Sequence, residues 1–206
     1  MSATATLPAP VAAPTPGATV NGLHRWKWTR EQYYKLGELG FFQDKRVELI
    51  FGEIIEMSPI NWPHVVGCRK TAELMERVFA GIGWVGRAEP IALGDSDPQP
   101  DVAVFAGRFE EYTDHPKTAL LIVEVSHTTF DTDATIKAEL YATAKILDYW
   151  VLDLDNRQLH VFRDPVELPT GLGANAYRKH VTLAETDTAS PLAAPTATIL
   201  VRELLP

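Results

Sequence analysis

The chain has one cysteine, Cys68, among its 206 residues, so no intrachain disulfide can form and a reducing, cytoplasmic setting is expected. No apolar run approaches the about 20 residues of a membrane-spanning helix, so no membrane partner is expected. Positive charge is scarce: 19 Lys and Arg face 27 Asp and Glu, a net charge of −8. That sign argues against a protein that grips nucleic acid through charge alone. The phosphate-binding P-loop, the dinucleotide glycine pattern, HExxH and any cysteine cluster are all missing, which excludes the enzyme classes built on them. Ser126 has no glycine elbow, so a serine hydrolase is excluded too. The first 23 residues contain no charged side chain, with prolines at 8, 10, 14 and 16. Without a basic start or an unbroken apolar segment they do not form a secretory leader. Residues 1–23 are expected to be a disordered Ala/Pro/Thr-rich tail, and 24–206 a single domain.

What is present is an ordinary core-forming composition, 46% hydrophobic, with strand patterns outnumbering helical ones. Thr29 and Gln32 make a capping box opening a short helix over 30–39, stopped by Gly40. Residues 46–50 and 53–57 flank Phe51-Gly52 and read as a hairpin. Apolar spacing predicts an amphipathic helix from Pro63 to about Ile82. Strands are expected at 84–87, 91–93, 101–105 and 120–125, then a helix over 132–145. Residues 149–154 and 158–162 flank Asp155-Asn156-Arg157, a second hairpin signal, and 164–176 reads as loop. Short strands at 181–183 and 199–201 complete the pattern, and the class is α/β or α+β with a mixed sheet.

One residue breaks the pattern. Glu124 lies in ALLIVEVS (119–126), a run apolar enough for a strand buried on both faces. A carboxylate there is costly unless it is paired, hydrogen-bonded or bound to a cation. Between Gly94 and Asp133 nine acids stand against Arg108 and Lys117, a net −7 that holds most of the chain's excess charge. Such a field attracts a divalent cation. Asp101, entering a strand after Pro100, and Lys137, on the following helix, supply what a phosphodiester-cleaving site requires. Two carboxylates suffice for Mg²⁺, which takes its other ligands from water and phosphate, and a nearby ammonium steadies developing charge. Each residue has a plainer reading: Asp101 ends a loop, Lys137 pairs with Asp133 at i, i+4 on the surface, and Glu124 is neutralised internally.

RVELIFGEIIEMSP, PQPDVAVF, LLIVEVS, IKAELYA and DYWVLDL occur in this order. The succession resembles the Uma-two family, a branch of the PD-(D/E)XK restriction-endonuclease-like superfamily, across residues 29–205. The resemblance implies a restriction-endonuclease-like mixed central sheet flanked by helices, with additional antiparallel hairpins. It also implies a Mg²⁺- or Mn²⁺-dependent endonuclease acting on nucleic acid, in the first place DNA. The superfamily's acid pair falls on Asp101 and Glu124, expected to bind the metal. Ser126 stands where the usual lysine would be, so that role passes to Lys137 on the next helix. The early acid matches Glu48, whose plainer reading is a solvent-facing partner of Arg46. His64, Asp133 and Tyr141 are expected to support these four. Two departures concern turns: Phe51 replaces the usual Asp before Gly52, and Ala144-Lys145 replaces a glycine at the end of the Lys137 helix. A homodimer is the expected assembly. Two other readings remain: a catalytically idle binding or dimerisation module of the same fold, and a hydrolase of small phosphorylated ligands.

Overall fold

The computed structural model describes residues 25–169 and 175–206; the expected tail at 1–23 lies outside them. Helix α1 (Arg30–Glu38) carries the capping box, with the Thr29 side chain and backbone exchanging hydrogen bonds with Gln32. Strands β1 (Val47–Ile50) and β2 (Glu53–Glu56) pair antiparallel through the Phe51-Gly52 turn. Both turn residues have positive φ (49° and 73°). A tight hairpin requires this of its two central residues, which explains why Asp is a more comfortable occupant than Phe before the glycine.

Helix α2 (Trp62–Val78) starts at an Asn61 cap with Pro63 in its first turn, and buries Ala72, Met75 and the following Phe79. A six-stranded sheet follows in the order β3 (Gly83–Gly86), β4 (Val102–Ala106), β5 (Leu121–Ser126), β6 (Asp148–Asp153), β7 (Gln158–Glu167) and β8 (Asn175–Ala184). Neighbours are antiparallel except β5 and β6, which are parallel. A parallel pair needs a crossover. Here it is α3 (Phe130–Thr132), a π-helical turn (Asp133–Lys137) and α4 (Ala138–Thr143). A two-residue pair, β9 (Thr188–Ala189) and β10 (Ile199–Leu200), lies near the C-terminus.

Three expectations change. Residues 91–93 make only an isolated bridge, Leu93 to Ser96, because the segment turns back on itself instead of meeting a strand. Much of the expected loop at 164–176 is strand, since Pro165, Val166 and Glu167 pair with Tyr177, Ala176 and Asn175; residues 170–174 lie outside the described set. The helix expected over 132–145 contains the π turn and ends at Thr143, and Lys145 takes φ 60°, a left-handed conformation that glycine adopts at less cost.

The central strands of the sheet, β4 to β6, are buried on both faces. Val102, Val104, Leu121, Val123 and Val125 face α2 and the C-terminal Leu204 and Leu205. Ala103, Phe105, Ile122, Tyr149 and Val151 face Tyr141 and Leu140 of α4. This two-sided burial is why β5 reads as a continuous apolar run. Strand alternation puts Glu124 on the same face as Ile122, beneath the crossover helix.

Candidate functional site

Val102 pairs with Val123 in antiparallel register. The preceding residue of β4, Asp101, is thereby carried beside Glu124. The backbone records the proximity: Val125 N–H donates to Asp101 Oδ2 at 2.8 Å, and Asp101 N–H points at Glu124 Oε2 at 3.4 Å. Lys137 and Tyr141, one helical turn apart, descend on Glu124 from above. Lys137 Nζ donates to Glu124 Oε1 at 3.1 Å and Tyr141 Oη donates to the same oxygen at 2.8 Å.

Glu48 reaches the same ammonium from the β1–β2 hairpin. Its Oε2 stands 3.3 Å from Lys137 Nζ, while Oε1 accepts from the Gln99 N–H at 2.7 Å. It is 3% exposed, so it does not face solvent beside Arg46. The hairpin is held there by the bridge between Leu49 and Asp97, whose N–H donates to Leu49 O at 2.7 Å. Buried Asp97 in turn accepts from the Tyr34 hydroxyl and faces Arg30 at 3.3 Å, fixing α1 to the same loop.

Asp133 is the most distant of the three acids within 4 Å of the ammonium, at 3.9 Å, and is held by the Thr129 hydroxyl at 2.7 Å. The expected alternative, a surface Lys137–Asp133 pair, does not describe this arrangement. Lys137 is 8% exposed and its shorter contacts are to Glu124 and Glu48. The π turn brings this about: Ala138 N–H donates back to Asp133 O, and Tyr149 donates to that carbonyl as well. Such insertions recur at functional sites because they re-aim side chains within a helix.

Three carboxylates thus contact one ammonium, and the charge of a fourth, Asp101, adds to their field. Burial alone pushes Lys137 down, but Glu124, Glu48, Asp133 and Asp101 outweigh it and raise the group well above its ordinary value. It stays protonated at any physiological pH. The excess negative charge is relieved at the most enclosed acid, where the neutral form is favoured: burial raises Glu124 far above the ordinary range, against the pull of Lys137 and aided by Asp101, Asp133 and Glu48. Burial also raises Asp133. Burial works the same way on Asp101, but the hydrogen bond and charge of His64, the Lys137 charge and the Val125 N–H together hold this carboxyl below its usual range. His64, with Nε2 at 3.2 Å from Asp101 Oδ2, is raised in return by that hydrogen bond, against its burial.

The residues fit a hard divalent cation. Both contacts to Asp101, from His64 and Val125, fall on Oδ2, and those from Lys137 and Tyr141 to Glu124 fall on Oε1. Asp101 Oδ1 takes no hydrogen bond among the described residues, Glu124 Oε2 has only the 3.4 Å approach of the Asp101 N–H, and both acids, with Lys137 and Glu48, line a cleft of about 160 Å³. Mg²⁺ requires no more than one or two protein carboxylates of this kind.

All seven expected residues meet at this cleft: Asp101, Glu124, Lys137 and Glu48 directly, with His64, Asp133 and Tyr141 touching one of the four. Sequence reasoning missed three neighbours. Cys68 lies 3.5 Å from His64 Nδ1, a contact announced by their i, i+4 spacing on one helix. Thr129 braces Asp133, and Asn61 links the α2 cap to His127 at 2.7 Å. These last two join segments distant in sequence or lie at an irregular turn, so no periodic pattern marks them.

The family model for Uma2, described as "Putative restriction endonuclease", matches residues 30–202. Among solved structures, the chain is similar to a protein from Anabaena variabilis described as a putative nuclease belonging to DUF820. Identity is 19%, the match covers 85% of this chain and 96% of that one, and the TM-score is 0.64. That likeness shows the fold, a mixed sheet flanked by helices with antiparallel hairpins. No curated protein matches the sequence.

Proposed function

The chain belongs to the Uma2 family, and from that premise and the cleft geometry we propose that it is a Mg²⁺- or Mn²⁺-dependent endonuclease hydrolysing DNA phosphodiester bonds. One observation carries the reading: two carboxylates from adjacent antiparallel strands lie side by side, with an ammonium over one of them. Asp101 and Glu124 would hold the metal, which when bound supplies charge stabilisation at the phosphoryl oxygens and acidifies water. Lys137 retains its proton, so its role is that of a fixed cation and donor beside the phosphate rather than a base. Glu48 and Asp133 hold the ammonium over the acids, Tyr141 orients the Glu124 carboxyl, and His64 orients Asp101. The metal also removes the objection from charge, since it offsets the acidic cleft that would otherwise repel a polyanion. The domain over 24–206, the cytoplasmic setting and a homodimer belong to the same proposal; light scattering on purified protein tests the last.

The test is a titration of Mg²⁺ and Mn²⁺ against purified protein with single-stranded, duplex and branched DNA, and with small nucleotides. Glu124→Gln and Asp101→Asn are expected to lower metal affinity and turnover by more than about 100-fold, beyond the loss typical of a residue that merely supports a ligand. Cleavage and metal binding that survive both substitutions would overturn the assignment. One specific observation favours a second reading, the idle module. Glu124 Oε1 is already satisfied by Lys137 and Tyr141, as an internally neutralised acid would be. Calorimetry decides between them, because the idle module takes up no Mn²⁺ at millimolar concentration. Turnover of nucleotides without polymer cleavage would instead identify a small-ligand hydrolase.

A further inference from the structure

The two acids do not exhaust the donor atoms at this end of the sheet. On the other side of Asp101, His64 and Cys68 occupy successive turns of α2 and share one face. His64 Nε2 lies 3.2 Å from Asp101 Oδ2 and 3.8 Å from Cys68 Sγ, and the three residues can offer donor atoms all within 4.8 Å of one another. Around a tetrahedral zinc ion, bond lengths of about 2.0–2.3 Å place neighbouring ligands roughly 3.3–3.6 Å apart. Two of the separations lie within about 0.2 Å of that range, and the third is no longer than 4.8 Å, so small side-chain adjustments would bring the three donors around one ion.

The donor set differs in kind from the carboxylate pair. Imidazole and thiolate select zinc-like ions, whereas carboxylates and water suit magnesium. Access comes through a second cleft that adjoins the first and shares Arg46, Ile60, His64 and Asp101 with it. This cleft of about 260 Å³, lined by His64, Cys68, Asp101 and Arg46, reaches these donors and leaves room for a water as fourth ligand. Three protein ligands and one open position is a familiar zinc arrangement.

We propose that His64, Cys68 and Asp101 form a second metal site, for a zinc-like ion, which competes with the Asp101–Glu124 pair for Asp101. Binding at His64 Nε2 replaces the His64–Asp101 hydrogen bond, the Nε2 proton leaving to solvent or, in the neutral ring, giving way to the Nδ1-protonated tautomer, and the Cys68 thiol proton is released to solvent. Zinc at this site withdraws Asp101 from the magnesium pair, so it inhibits the enzyme. That consequence rests on the nuclease reading above; the existence of the site does not.

Cobalt titration of the full chain tests the site without any activity assay. Because Cys68 is the sole cysteine, a thiolate-to-cobalt charge-transfer band can arise only there. The expected result is a band saturating at one cobalt per chain, absent in Cys68→Ser and requiring at least tenfold more cobalt in His64→Gln, with zinc displacing the cobalt. A missing band, or one unchanged in His64→Gln, overturns the site. In a parallel arm, zinc should suppress Mg²⁺-dependent cleavage at least tenfold more strongly in the wild type than in Cys68→Ser. Equal suppression of both overturns the competition. If the band appears and no cleavage occurs at any Mg²⁺ concentration, the site stands and the nuclease reading fails.

Discussion

Lys137→Met removes the cation shared by Glu124, Glu48 and Asp133 while keeping an unbranched side chain only one atom shorter. Nζ lies 3.1, 3.3 and 3.9 Å from the three carboxylates. At an effective dielectric of about 20, a contact near 3 Å is worth roughly 5 kcal/mol before desolvation. Burying the ammonium opposes much of that, and the net loss on deleting one partner of a buried ion pair is about 3–5 kcal/mol. For a chain of this size that corresponds to a melting temperature lower by roughly 6–20 °C. The loss must also depend on pH. The folded-state pKa of Glu124 is raised by burial, so its protonated form is the one the fold favours. A raised group contributes stability below its unfolded pKa, and this is lost as pH rises through the folded value. With Lys137 gone, that loss deepens, because nothing else on the crossover helix offsets the charge. Urea unfolding of wild type and variant at about pH 8 and about pH 5 measures the difference. It should be largest at the higher pH and shrink as Glu124 takes up its proton. A difference under about 1 kcal/mol at both, or one that grows toward acid, would refute the buried-cluster account.

Three other perturbations test the supports of the site. Tyr141→Phe deletes a donor from the buried Glu124 carboxyl and should cost about 1.5–3 kcal/mol in urea unfolding, the range for hydrogen bonds to charged groups. Gly67→Ala places a methyl 2.8 Å from the Val125 side chain, where α2 crosses β5. Overpacking costs of about 1–3 kcal/mol should exceed the about 1 kcal/mol gained in helix propensity, giving a net loss by thermal melting. His160 and His180, stacked on β7 and β8, both have pKa values lowered by burial, with each other's charge adding to the effect on His160 and Asp153 opposing it. Depressed values mean that the stability is present above about pH 6.5 and is lost as pH falls through the folded values. His160→Gln should flatten the fall in melting temperature across that window, and an unaltered profile would exclude this pair as its source.

The sequence by itself determined the central strands and most of the helices, because two-sided burial and helical spacing impose visible periods on residues such as 121–126 and 65–79, whereas 91–93 and much of 164–176, without such a period, fold otherwise than they read. It also singled out Glu124, since an acid inside an apolar strand is conspicuous whatever surrounds it. Asp101 and Lys137 followed as companions from the same residue reading, and the resemblance to Uma-two proteins added Glu48. What the chain could not express as a local pattern was who neutralises whom. Lys137 and Asp133 stand four apart and read as a surface pair, yet the π turn and the β5–β6 crossover turn the ammonium inward to Glu124 and Glu48. Glu48 and Arg46 share one side of a strand in sequence, yet the loop at 95–100 closes over β1 and buries only the glutamate. The shared use of Asp101, by Glu124's side of the sheet and by His64 and Cys68 on α2, depends on the register of β4 against β5 and on how α2 packs across them. Those are long-range relations, and only the tertiary fold decides them.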